Sequence, residues 1–126
     1  MILKKKPRDS AISRTEALES IPVKNIDVAE IRLETGEVLL NYPVGMRPWI
    51  TAIVEHFGGK SGKTQTKKLQ LDVLGTAVWD QLDGKRSVRK VIQQFANKHH
   101  LHPKEAEKSV TQFLRDLGKR GIIGLK

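Results

Sequence analysis

The chain has no cysteine, which excludes disulfide staples, thiolate zinc sites, iron–sulfur ligation and a cysteine nucleophile together. It has no long apolar run either. The start, Met1-Ile2-Leu3-Lys4-Lys5-Lys6-Pro7-Arg8, is basic with nothing hydrophobic behind it, unlike a signal peptide or a membrane anchor. The expectation is a soluble, cytoplasmic protein without a membrane partner. No glycine-flanked nucleophilic serine, no carboxylate pair in an apolar setting and no cofactor fingerprint occurs. Neither an enzyme, a catalytic residue, a cofactor nor a resident metal is expected. Internal repeats and low-complexity segments are also missing.

What is present suits one domain. The 126 residues are 38% hydrophobic, about 48 side chains, enough for a single modest core. The net charge of +9 is uneven: ten basic against eight acidic residues in positions 1–63, thirteen against six in 64–126. A surplus of that kind favours an anionic partner.

Residues 1–12 read as a mobile basic arm, and 13–126 as one domain. Ser13-Arg14-Thr15-Glu16 has capping-box spacing and opens a short helix over Arg14–Glu19, ended by Pro22. Residues 28–42 alternate around Thr35-Gly36, which predicts a hairpin. Trp49, Ile50, Ile53, Val54 and Phe57 recur at helical spacing behind Pro48. This amphipathic helix and the glycine-rich stretch after it form an insertion over about 44–65. Thr66–Leu71 alternates as a third strand, and Asp72 is placed to cap the next helix.

Three helices then follow. The first runs from about Val73 to Leu82, with Leu74, Ala77, Val78 and Leu82 as its face and Trp79 beside it. The second is capped by Ser87 and buries Val88, Val91, Ile92, Phe95 and Ala96. The third opens at Pro103 with Ala106, Val110, Phe113, Leu114 and Leu117, followed by a short apolar tail, Ile122-Ile123-Gly124-Leu125. The predicted class is α+β and winged-helix-like: an N-terminal three-stranded antiparallel sheet packed on a C-terminal three-helix bundle containing a helix-turn-helix.

Several motifs have simpler readings. Gly62-Lys63-Thr64 resembles the end of a phosphate loop, but Phe57 stands where that loop needs glycine, and the stretch leads into a strand. His99, His100 and His102 are crowded in a turn from which three metal ligands rarely converge, so solvated or capping roles are expected. His56 stands alone and reads as a surface or satisfied helix residue. The main rival function is a winged-helix DNA-binding regulator, since Lys104, Lys108, Arg115, Lys119 and Arg120 make the third helix basic. Yet Lys104, Glu105, Glu107 and Lys108 mix signs where base-reading side chains belong. Nucleic acid is the less favoured partner.

Leu69-Gln-Leu-Asp-Val-Leu-Gly-Thr-Ala-Val-Trp-Asp-Gln-Leu-Asp-Gly84, Arg86-Ser-Val-Arg-Lys-Val-Ile92, His102-Pro-Lys-Glu-Ala-Glu107 and Phe113-Leu-Arg-Asp-Leu117 follow in an order that resembles the PqqD family. These are small peptide chaperones of pyrroloquinoline quinone biosynthesis. The shared features are a strand-Asp-x-x-Gly helix start, an aromatic or aliphatic residue before x-x-Leu-Asp-Gly, and a Val-x-x-Ile second helix. The resemblance implies a non-catalytic protein that binds the leader of a ribosomally made precursor peptide and presents it to a radical S-adenosylmethionine enzyme. It also implies the place: an added strand on the third strand, beside the third helix. Carried onto this chain, that is Lys68, Leu69, Gln70 and Leu71 on the strand, with Lys108, Thr111, Gln112 and Arg115 flanking the groove. Leu69 and Leu71 also fit plain core positions, because only alternate residues share a face. A monomer or weak dimer is expected, since an unpaired edge permits self-pairing without requiring it.

Overall fold

The computed structural model describes residues 13–44 and 65–126. The residues of the expected basic arm, and within the expected insertion those of the expected amphipathic helix, His56 and Gly62-Lys63-Thr64, lie outside them. Within them the order is α1 (Arg14–Glu19), β1 (Pro22–Lys24), β2 (Ala29–Arg32), β3 (Val38–Val44), β4 (Gln65–Gln70), α2 (Val73–Gln81), α3 (Val88–His99), α4 (Pro103–Lys119) and β5 (Ile123–Leu125). The class is α+β with antiparallel sheets, as expected. No described helix is long and apolar enough to cross a membrane.

Local chemistry sets the boundaries. Ser13 and Glu16 form the reciprocal capping box, the Glu16 amide donating to Ser13 Oγ at 3.1 Å and the Ser13 amide to Glu16 Oε1 at 3.0 Å. Gly36 takes the left-handed φ of +95° that closes the β2–β3 hairpin. Asp72 and Ser87 cap α2 and α3. The histidines each have local surroundings. His100 is the left-handed C-cap of α3, His102 Nδ1 accepts the Lys104 amide at 3.0 Å, and the His99 ring packs 4.7 Å from Phe95.

The N-terminal sheet has three strands in the order β2-β3-β4. The chain adds a separate two-stranded sheet that the sequence did not reveal: the apolar tail is β5, paired with β1, with Val23 opposite Gly124. The core joins Val38, Leu40 and Tyr42 of β3 to Val78 and Trp79 of α2, Phe95 of α3, and Val110 and Leu117 of α4. Leu74 is not on the buried face of α2. It is 48% exposed, because Gly75, Val78, Trp79 and Leu82 turn inward instead. Trp79 is a core residue, its indole N–H donating to Glu30 Oε1 at 3.0 Å while Lys24 Nζ lies 4.3 Å from the ring centroid. His100-Leu101-His102 joins α3 to α4.

Candidate functional site

β4 is an edge of the three-stranded sheet, and its register shows which backbone groups are free. Val38 and Leu71 form a hydrogen-bonded pair, with the Leu71 amide donating to Val38 O at 2.8 Å. Pairing continues through Leu40 with Leu69 and Tyr42 with Lys67. In an antiparallel ladder, hydrogen-bonded and non-hydrogen-bonded pairs alternate. Gln65, Lys67, Leu69 and Leu71 therefore turn their N–H and C=O toward β3, while Thr66, Lys68 and Gln70 turn theirs to the side on which no described strand pairs. The opposite edge of β3 agrees: the Leu33 amide donates to Glu37 O at 2.8 Å, which places Leu39 and Asn41 in hydrogen-bonded register with β2.

Side chains alternate in the same way. Leu71 is a core residue at 3% exposure, and Leu69 is half-buried against that core. Lys67, which shares their face, is exposed, and so are Lys68 and Gln70 on the other face. Of the four strand residues expected from sequence, Leu69 can offer a partly accessible apolar side chain to a peptide, and Lys68 and Gln70 offer backbone. Leu71 serves the core.

One flank of α4 reaches the corner after β4 and the middle strand β3. A Cβ on Gly75 would lie 3.1 Å from Phe113 Cε1 and 3.5 Å from Leu71 Cβ, so Phe113 packs where β4 hands over to α2. Asp72 holds this corner, its Oδ1 accepting the Gly75 amide at 2.7 Å. Farther along the same flank, Arg120 donates to the Tyr42 hydroxyl at 2.7 Å. Tyr42 is opposite Lys67 on β4. The flank beside the sheet thus carries Phe113 and Arg120.

The structure distributes the four helix residues expected beside the strand over different sides of α4. Thr111 and Arg115 lie on the other flank of α4 and line a cavity shared with α1 and β5. Lys108 and Gln112 are exposed, with Gln112 donating to Asp116 Oδ1 one turn along at 3.2 Å. The structure gathers Lys67, Phe113 and Arg120 near this strand, a grouping that the sequence reading did not make. Two signals were available: the period of two that sets Lys67 on the face of Leu69, and the helical period that separates Phe113 and Arg120 from Thr111 and Arg115.

The Leu-Asp-Gly motif is architectural. Leu82 is buried, Asp83 Oδ1 accepts the amides of Lys85 and Arg86 at 2.9 Å each, and Gly84 has φ +77°. Those two backbone donors hold the Asp83 carboxyl below its ordinary range. Glu107 is also lowered, first by its hydrogen bond from Arg14 and then by that residue's charge. Arg14 reaches it through Nε at 2.8 Å and Nη2 at 2.7 Å.

The sequence model of the family described as Coenzyme PQQ synthesis protein D (PqqD) matches residues 50–123. No curated protein and no solved structure matches the chain.

Proposed function

The chain belongs to the PqqD family, and from that membership we propose that it binds the leader of a ribosomally made precursor peptide as an added strand on β4. In this reading the protein does no chemistry itself. It holds the peptide and presents its core to a radical S-adenosylmethionine enzyme. The three C-terminal helices with their sheet are read as a winged-helix-like unit whose strand edge takes peptide rather than DNA.

The observation that supports this most is the outward backbone of Thr66, Lys68 and Gln70. Strand addition draws its affinity from main-chain hydrogen bonds and its selectivity from alternate side chains. Leader side chains turned toward α4 meet Leu69 and Phe113, with Lys67 and Arg120 beside them. Cations there favour a leader that carries carboxylates next to its apolar anchors.

The edge geometry dictates the test. Lys68→Pro removes an outward donor and leaves the β3 ladder complete, which is where a sheet tolerates proline. Leu69→Pro removes a ladder donor and disrupts the sheet. We expect the Lys68→Pro protein to keep its thermal unfolding transition and to lose leader affinity by about tenfold or more, the equivalent of one lost hydrogen bond with added steric exclusion. Nuclease-treated native lysate passed over the tagged wild-type protein should leave a small ribosomal peptide on it, identified by mass spectrometry, and none on Lys68→Pro. Equal retention on both proteins, or retention of DNA alone before nuclease treatment, overturns the reading.

A further inference from the structure

On the flank of α4 turned away from β4, a cavity of 850 Å³ opens between α1, α4 and β5. Leu18, Leu114 and Ile123 give it a buried apolar floor, and Leu125 at its edge is 50% exposed. β5 brings to this cavity a second strand edge that no described strand pairs. The Ile21 and Lys126 amides each donate to the other residue's carbonyl at 3.0 Å, and the Asn25 amide donates to Ile122 O at 2.8 Å. Residues 122, 124 and 126 therefore face β1, and Ile123 and Leu125 turn their N–H and C=O the other way.

The charge at the rim is one-sided. Glu107 is matched by its two hydrogen bonds from Arg14. Arg115 and Lys119, one helical turn apart, line the same cavity and enter no ion pair among the described residues. An open strand edge, an apolar floor and two unmatched cations together fit an extended segment that carries carboxylates and apolar side chains in alternation.

We propose that this surface docks an acidic, extended segment of a second protein, pairing with β5 and setting carboxylates opposite Arg115 and Lys119. The inference goes beyond the β4 reading and does not depend on it. With two edges on different flanks of α4, one small protein holds two chains at once.

The probe is a short synthetic peptide alternating glutamate and valine, titrated into the full-length protein and followed by backbone amide NMR. A lysine-for-glutamate counterpart serves as the charge control. The acidic peptide is expected to shift the amides of Ile123, Leu125, Arg115 and Lys119, and the basic one to leave them unmoved. Charge reversal by Arg115→Glu with Lys119→Glu should weaken binding about tenfold. Leu125→Pro should abolish it with the fold intact, since that amide donates nothing to β1. Lys68→Pro should leave it unchanged, which separates this surface from the β4 edge. Shifts confined to β4, no shifts at all, or indifference to the charge reversal would each overturn the proposal.

Discussion

At the residue scale, Gly75 shows how a family motif follows from contact distances. Alanine there would gain helix propensity, worth about 1 kcal/mol over glycine. Its Cβ, however, would meet the Phe113 ring edge at 3.1 Å and Asp72 Oδ1 at 3.2 Å, tighter than ordinary packing. Overpacking of that kind costs about 1–3 kcal/mol, and two neighbours on different elements must give way together. Gly75→Ala is therefore expected to destabilise by about 1 kcal/mol in chemical denaturation. Phe113→Leu in the same chain should recover most of the loss, because the smaller side chain withdraws the clashing carbon. Additive losses in the double variant would show that Phe113 is not the obstacle. The Asp-x-x-Gly spacing was readable in the sequence; its partner Phe113, 38 positions from Gly75, was not, because a local pattern carries no information about which distant ring closes on it.

Elements show why some features were legible and others were not. Six-residue α1 is too short to hold itself, yet its capping box marks it clearly in sequence. Ser13→Ala should cost about 0.5–2 kcal/mol, read as faster amide exchange through Arg14–Glu19. β1 and β5 have three residues each, too few for a period of two to show, and Pro22 and Gly124 read locally as breakers. Only long-range pairing makes them strands. Leu74 and Trp79 exchange their expected places because α2 has apolar residues around most of its circumference, leaving the choice of buried face to tertiary packing.

The contact between α1 and α4 also has a defined pH window. Glu107 is depressed in the folded protein, so its pairing with Arg14 contributes in full above the unfolded carboxylate pKa, roughly 4.3, and is lost as pH falls through the lower folded value. Relative to intrinsic rates, amide exchange in α1 should rise on acidification below that range. Glu107→Gln should remove this acid-dependent step, whereas Asp83→Asn should not, since Asp83 is likewise depressed but serves the turn after α2. A step that survives in Glu107→Gln would assign it to another group.

At the scale of the whole molecule, the sequence showed the order of hairpin, strand and three helices, while the register-dependent facts that matter for binding required the structure. Which of Lys67 and Lys68 shares the face of Leu69, and which backbone groups turn away from β3, follows from pairing with β3 and from no local property of the strand. The same holds for the assignment of Thr111 and Arg115 to the α1–β5 cavity. The described residues thereby present two strand edges, one on the three-stranded sheet and one on the two-stranded sheet.

The most direct measurement is residue-resolved amide hydrogen exchange of the full-length protein with and without a precursor leader captured by it. Lys67, Leu69 and Leu71 already donate to β3 and should be protected in both states. Thr66, Lys68 and Gln70 should exchange freely alone and become protected with the leader, producing an alternating gain along β4. Uniform protection of the strand, or a gain confined to Ile123 and Leu125, would contradict leader binding by strand addition at β4.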